Sequence, residues 1–443
     1  MIPAAIRSFW RAALSVFFSS IEFEGVEKVP ASGPILLVPN HVNAFIDAMM
    51  VTAALDRPVT LTAKSTLFDV VLLRPFLRMA GVVPLHRRQD VGQGAEPARN
   101  AESLAACRRR LAEGGAVCIF PEGVSHSEPH LRPLRTGAAR IALESAAEGT
   151  AVSIVPVGLH YEAKERFRSA ARVRFGEPLD VASWARGSAG ADPRALSGEV
   201  ERRLREITLN FERRRDEVLV DWTALVLATG GAPPSVLGRD TGALARRAAF
   251  ARRLGDGYGE IQEARPAEVR ALSERVRRYH GELRRLGIAP EEVYLEMSAG
   301  PAALFLVREA EMLVIGLPLA LAGTLLHAIP YLLVRALTRR LSTERDHWAT
   351  NAVVIGLVVF PIAMIVEIAA AWRLLAWPWA AAATALVPYA GFYAVLYRDR
   401  AGGVLRRSRT FLRFLFSPRV HARLEREGRD IIASIEGLAE AAP

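Results

Sequence analysis

The chain has 443 residues, a formal net charge of +10 and two cysteines. That length buries a large core and accommodates more than one folded unit. Cys107 and Cys118, one in a helical segment and one in a strand-like segment, exclude a disulfide framework and a cysteine metal site. The positive excess is nearly all arginine, no nucleic-acid motif accompanies it, and few aromatics interleave with the basic runs. Anionic lipid heads and acidic substrates are therefore expected as partners, and nucleic acid is not.

Residues 1–20 read as one amphipathic helix, with Ile6, Trp10, Leu14, Phe17 and Phe18 broadly on one side and Arg7 and Arg11 interrupting any spanning run. This is the pattern of a helix lying in a membrane interface, not of a cleavable signal. The apolar run at 35–38 predicts a short buried strand, Pro39-Asn40 ends it, and a helix begins near Ala44, so His41 falls where strand gives way to helix. Strand ends of this kind hold active sites in α/β folds. A neutral imidazole there takes a proton from an alcohol attacking an ester or thioester, worth roughly 10²- to 10⁴-fold in rate. Asp47 is the carboxylate that would fix its tautomer. Taken alone, the two residues read more readily as a capping histidine and a solvated first-turn acid. Six positions rotate about 240° on a continuous helix, so the pair meets only if the residues after His41 are loop.

Lys64 ends a strand at 59–63 and is a weaker candidate for steering phosphate or coenzyme A. The strand at 82–85 runs into His86, Arg87 and Arg88, and guanidinium forks suit a phosphate bidentately. A third apolar run at 116–120 leads into Pro121-Glu122-Gly123, where glycine permits close backbone approach and Glu122 is an acceptor suited to glycerol hydroxyls. Ser125-His126 invites a hydrolase, but adjacent loop side chains rarely aim at each other and no Gly-x-Ser-x-Gly elbow surrounds them. Arg135 opens a helix over 136–147, and Pro156 within the strand at 154–158 suits a sheet edge or strand end.

The segments NHVNAFIDAMM, GVVPLHRRQD, FPEGVSHSEPHLRPLRTGAAR and VPVGLHY occur in the order and spacing of the four motif blocks of the glycerolipid acyltransferase superfamily, and the chain resembles that family over roughly residues 21–178. The resemblance implies an α/β acyltransferase domain over 21–190, a mixed sheet flanked by helices. It implies His41 and Asp47 as the catalytic pair, Arg87 or Arg88 on the acceptor phosphate with Arg135 and Lys64 as further candidates, Glu122 and Gly123 at the acceptor, and Pro156 bordering the acyl pocket. It also implies direct transfer from acyl-CoA or acyl carrier protein to a hydroxyl of glycerol-3-phosphate or a 1-acyl lysophospholipid such as lysophosphatidate. No cofactor, metal or covalent acyl-enzyme enters that chemistry. The family's usual first block has four residues between His and Asp, whereas five lie between His41 and Asp47. The longer spacing resembles the fungal-type glycerol-3-phosphate and dihydroxyacetone-phosphate acyltransferases, and it bears on the acceptor more than on the chemistry.

From 191 to 300 the chain turns helical and charged. Leu196, Val200, Leu204, Ile207 and Phe211 form one apolar stripe, and Val269, Leu272, Val276, Tyr279, Leu283 and Leu286 form another. The membrane region at 301–400 holds three apolar stretches, 312–337, 352–371 and 374–397. Each is long enough for a bilayer core of ~30 Å, which needs about 20 residues. Arg335, Arg339, Arg340 and Arg345 follow the first stretch, and Arg398, Arg400, Arg406 and Arg407 follow the third. The positive-inside rule places both clusters on one side if the first stretch enters and returns, broken near Gly316, Pro318, Gly323 and Pro330, while the others form a hairpin turning at Trp372-Arg373. The expectation is an integral membrane protein with its catalytic domain facing the cytoplasm and a basic helical tail over 401–443. Two readings from other classes compete: a thioesterase or lipid hydrolase, which releases fatty acid without an acceptor, and a non-catalytic lipid-binding membrane protein.

Overall fold

The computed structural model describes residues 4–69, 74–86, 97–164, 166–187, 192–208, 210, 223, 264–294, 299–342 and 345–440. Two compact units divide it: residues 1–208 with 340–353, and residues 209–339 with 354–443.

The first unit opens with α1 (Ala4–Phe17), β1 (Ser20–Glu24), β2 (Ile35–Pro39), α2 (Ala44–Ala54), β3 (Val59–Lys64), α3 (Arg74–Met79) and β4 (Val83–Leu85). It continues through α4 (Pro97–Ala112), β5 (Ala116–Cys118), α5 (Gly137–Ala147), β6 (Ser153–Tyr161), β7 (Ala170–Phe175), β8 (Leu179–Asp180), α6 (Val181–Gly187) and α7 (Pro193–Ile207). The strands form one mixed sheet in the order β1-β7-β6-β2-β5-β3-β4, with β8 paired to β6. The run β6-β2-β5-β3-β4 is parallel throughout, while β7 and β8 lie antiparallel to β6. Parallel strands are covered on both faces and read as continuous apolar runs, which is why Ile35, Leu36, Leu37 and Val38 are all buried. Leu36 and Val38 join the core under α4, α5 and α7; the alternate residues face the side on which α1 and α2 pack.

Helix α1 uses its apolar side on α2. Trp10 and Leu14 are buried, with the Trp10 ring edge-on to Phe45 at 5.5 Å, so the face that the sequence offers to a membrane is covered by protein. Arg11 caps α2 by donating to the Ala53 and Leu55 carbonyls, and Arg7 donates to the Asp56 carbonyl. At the start of the sheet Arg57 donates to the carbonyls of Pro30, Gly33 and Gly114, tying together the segments that lead into β2 and β5. Helix α7 begins on Asp192, whose carboxylate accepts from Arg194 N and Ala195 N, with Pro193 at the first helical position. Its stripe of Leu196, Val200 and Leu204 is buried as the spacing predicts.

The second unit is helical. Helix α8 (Pro266–Leu286) buries Val276, Tyr279 and Leu283 against Leu424, Ile431 and Ile435 of the last helix, α13 (Pro418–Glu440). Between them come α9 (Ala299–Leu326), α10 (Ala328–Leu341), α11 (Arg345–Leu374), whose first residues belong to the first unit, and α12 (Trp377–Phe416). Three of these are long and apolar enough to cross a membrane, over Glu309–Leu326, Trp348–Leu374 and Trp377–Phe416. The first apolar stretch is interrupted at His327, between α9 and α10, while Gly316, Pro318 and Gly323 lie inside α9. The second and third are joined at Leu375-Ala376, just past the Trp372-Arg373 turn expected from sequence.

Helices α9 and α12 run antiparallel in close contact. A Cβ on Gly323 would lie 2.0 Å from the Ala390 carbonyl oxygen, and one on Gly316 would lie 2.1 Å from the Tyr393 hydroxyl. Arg400 donates twice to Glu309, at 2.8 and 2.7 Å, and Tyr397 Oη donates to the Leu313 carbonyl.

Candidate active site

Neighbouring strands β5, β2 and β6 end on the same edge of the sheet, and each delivers functional groups there. His41 follows β2, Glu122 follows β5 and Tyr161 closes β6. Asn40 extends the β2–β6 pairing by one step, its side-chain amide donating to the Leu159 carbonyl at 3.1 Å and accepting from Leu159 N at 2.7 Å.

His41 Nδ1 lies 2.9 Å from Asp47 Oδ2. The same oxygen accepts Val42 N and Asn43 N, each at 2.8 Å, and Asp47 Oδ1 accepts Tyr161 Oη at 2.7 Å. The six-residue offset works because residues 41–43 are not helical and the chain enters α2 through Ala44 at φ 44°. A left-handed alanine costs about 1–2 kcal/mol. Hydrogen bonds to a charged group are worth roughly 1.5–3 kcal/mol each, so the two amides turned onto Asp47 outweigh the strain.

Asp47 is fully buried. A carboxylate can only accept, so Nδ1 carries the imidazole proton and Nε2 keeps a lone pair for a substrate hydroxyl. The imidazole stacks on Phe120, with ring centroids 3.9 Å apart, and its side chain is 13 % exposed. The Asp47 charge is felt nearby. Burial pushes the Tyr161 phenol well above its ordinary range, and the adjacent carboxylate adds to the effect by charge and hydrogen bond. Cys118 is likewise raised, by burial first and Asp47 second, so it stays a thiol.

Glu122 is the second buried carboxylate. Its Oε1 accepts His41 N at 2.7 Å, and its Oε2 accepts Arg132 N at 2.8 Å and the His126 ring at Nε2. His126 Nδ1 accepts Glu128 N at 3.1 Å, which assigns the ring proton to Nε2 and makes the contact with Glu122 a donation. His126 N in turn donates to the His41 carbonyl. Lys164, from the loop after β6, donates to the carbonyls of Val42 and His126 and to Ser127 Oγ. The two loops therefore form one hydrogen-bonded body.

The structure brings together His41, Asp47, Glu122 and Gly123. Both Glu122 oxygens are engaged by protein donors, so this carboxylate builds the loops that would frame an acceptor. Gly123 sits at φ 77°, and a Cβ there would come within 2.8 Å of Arg135 Cδ and Nε; glycine lets the Arg135 stem lie against the turn. Arg135 N donates to the Pro121 carbonyl, and its side chain is exposed. Lys64 ends β3 on the same sheet edge. Arg87 and Arg88 lie outside the described residues. Pro156 is not part of this cluster. It is five positions from Tyr161 on β6, hence on the opposite face, and packs against Gly176. Ser125 gains no base from its neighbour, because both ring nitrogens of His126 are engaged. Tyr161 and Lys164 escaped the sequence reading. Tyr161 closes the fourth motif block and shares its strand face with Val157 and Leu159, a parity that points it at the end of β2.

The acyltransferase family profile matches residues 20–160. Those residues are an acyltransferase domain. Glycerol-3-phosphate O-acyltransferase 2 of Saccharomyces cerevisiae is 39 % identical over 115 residues, which is 25 % of this chain and 16 % of the yeast protein. The 1-acyl-sn-glycerol-3-phosphate acyltransferase of Borreliella burgdorferi is 27 % identical over 161 residues, 36 % of this chain and 57 % of that protein. The chain thus spans less than two thirds of either relative. The crystal structure of the 1-acyl-sn-glycerophosphate acyltransferase of Thermotoga maritima aligns with 46 % of this chain and 77 % of its own, at 21 % identity and a TM-score of 0.36. His41, Asp47 and Glu122 all fall inside this acyltransferase domain.

Proposed function

We propose that the chain moves a fatty acyl group from a thioester, acyl-CoA or acyl carrier protein, to a hydroxyl of glycerol-3-phosphate or 1-acyl-glycerol-3-phosphate. The observation that carries this reading is the His41–Asp47 pair, which leaves Nε2 as a base on a part-exposed imidazole. Nε2 takes the proton of the acceptor hydroxyl as its oxygen bonds to the thioester carbonyl carbon. The carbon–sulfur bond then breaks, and the leaving thiolate recovers that proton from the imidazolium, which Asp47 stabilises throughout. Arg135 and Lys64, with Arg87 and Arg88, are the cations proposed to meet acceptor phosphate. Glycerol-3-phosphate is the acceptor to offer first, supported by the His41–Asp47 spacing and the identity with the yeast enzyme. The apolar helices would hold the protein in the membrane where its product belongs.

The test is acyl transfer from labelled acyl-CoA by membranes carrying wild type or His41→Ala, with glycerol-3-phosphate, lysophosphatidate or no acceptor. Labelled phospholipid should appear with wild type and fall by about 10²- to 10⁴-fold in the variant. Retained transfer in His41→Ala would sink the assignment, and fatty-acid release without acceptor would replace it with a hydrolase.

A further inference from the structure

Residues 340–353 belong to the same compact unit as the catalytic sheet. Within this segment Ala349 and Val353 are buried, and Thr350 Oγ1 donates to the Asn43 carbonyl at 3.2 Å, across 307 positions of sequence. A threonine hydroxyl inside a helix ordinarily returns to the carbonyl four residues back. Thr52, Thr324 and Thr384 of this chain do so, onto Ala48, Ala320 and Ala380. Thr350 gives its hydroxyl to the catalytic loop instead.

The recipient needs a tether. Asn43 is the residue at which the His41 loop turns into α2. Its N–H is committed to Asp47, and the next residue, Ala44, has a left-handed backbone. Its side chain is fully buried, with neither Oδ1 nor Nδ2 partnered among the described residues. A loop carrying backbone strain and an unpaired amide does not keep its shape by local preference. Asp47 holds it from inside through Val42 N and Asn43 N, Glu122 accepts His41 N, His126 N donates to the His41 carbonyl, and Lys164 donates to the Val42 carbonyl. The Asn43 carbonyl accepts both Ile46 N, from the first turn of α2, and the Thr350 hydroxyl. Of all these donors and acceptors, only Thr350 stands on a helix that continues into an apolar stretch long enough to cross a membrane.

We propose that Thr350 is a positioning residue for the His41 base: by fixing the Asn43 carbonyl it keeps residues 42–44 in the conformation that sets the imidazole against Asp47. The first turns of α11 are thereby part of the active site, and the catalytic loop is secured by the helix that enters the apolar region. This rests on the acyl-transfer reading above.

The experiment compares wild type, Thr350→Val and Thr350→Ser as full-length protein in phospholipid nanodiscs, measuring acyl transfer and amide hydrogen exchange of the segment 40–46. Valine keeps the shape and removes the donor. It should lower kcat about tenfold, with KM for donor and acceptor within about twofold, and speed exchange of that segment about tenfold relative to the rest of the chain. Serine restores the donor and should bring kcat to within about threefold of wild type, with slow exchange regained. Unchanged kcat and exchange in the valine variant overturn the proposal, as does a raised KM at constant kcat. Exchange that rises throughout the chain and is not reversed by serine overturns it too, in favour of general destabilisation. Wild type that transfers to no acceptor from any thioester removes the acyl-transfer reading itself; that outcome is distinguishable because the other results all require an active wild type.

Discussion

Around His41 the chain buries two carboxylates within one hydrogen-bond network, whereas among the described residues α9 and α12 bury a single carboxylate, Glu309, paired with Arg400, along a contact otherwise made of small and apolar residues. In the loops of the candidate site Asp47 and Glu122 are inaccessible to solvent, yet together they accept His41 N and Nδ1, Val42 N, Asn43 N, Arg132 N, Tyr161 Oη and the His126 ring. Buried charge persists only when so completely paired. Beyond the Glu309–Arg400 pair and the Tyr397 bond, the α9–α12 contact relies on shape: Gly316 and Gly323 admit Tyr393 and Ala390, and Gly391 admits His327 just past α9, while Ile315 and Leu325 stand exposed on the outside. Where hydrocarbon replaces water outside, apolar burial does not distinguish one partner from another, and close approach over small residues does. One region therefore fails when a hydrogen-bond acceptor is lost, the other when an atom is added.

Four substitutions sharpen that contrast. The largest effect is expected for Asp47→Asn, which keeps the shape but removes the charge that stabilises the imidazolium. Acyl transfer should fall about 10²- to 10³-fold with the fold intact by circular dichroism, and an unchanged rate would mean that His41 works without its carboxylate. Next comes Glu122→Gln, which exchanges an acceptor for an N–H2 group facing donors. Thermal unfolding of the purified protein should report a loss of about 2–3 kcal/mol, and a neutral result would show that the two loops are not joined through this residue. Gly323→Leu should cost about 1–3 kcal/mol through overpacking against Ala390. That loss should appear in detergent-dependent melting of the helical region, and equal melting would contradict the tight α9–α12 contact. Smallest is Tyr161→Phe, which removes one bond to Asp47 and should lower kcat about tenfold or less. Because the wild-type phenol is held well above its ordinary pKa, it remains a donor across the neutral and mildly alkaline range. The alkaline limb of the kcat profile should therefore be the same in wild type and variant; a limb that vanishes in the variant would mean that Tyr161 titrates there.

The sheet and the residues gathered at its edge were legible because each rests on short-range signals. Apolar runs of strand length end in Pro39-Asn40 and Phe120-Pro121, and the functional residues follow at once. The pairing of His41 with Asp47 was expected on condition that the residues between were loop; the left-handed Ala44 that meets the condition is a conformation alanine ordinarily avoids and composition does not announce. What escaped were contacts set by distant chain. Lys164 reaches Val42 from the far side of β6, and Thr350 reaches Asn43 from still farther. The periodicity of α1 and α8 gave their apolar faces but not what covers them. For α1 the cover is α2, where the sequence suggested lipid, and for α8 it is α13 in the basic tail, where the sequence suggested a neighbouring charged helix or the acyltransferase domain. Amphipathicity states that a face is to be buried and is silent on the burying surface.

Arg57 bears on what the chain's positive charge is for. Its guanidinium spans the carbonyls of Pro30, Gly33 and Gly114 at the end of the sheet remote from His41. Lysine would leave the formal charge of +10 unchanged yet offers a point donor in place of a planar fork. Arg168 does the same at the end of α1, donating to the carbonyls of Ser15, Val16 and Phe18. Part of what a titration of the whole chain would count as affinity for acidic surfaces is internal joinery. Raising the ionic strength should weaken any long-range attraction to lipid while leaving these carbonyl clasps closed.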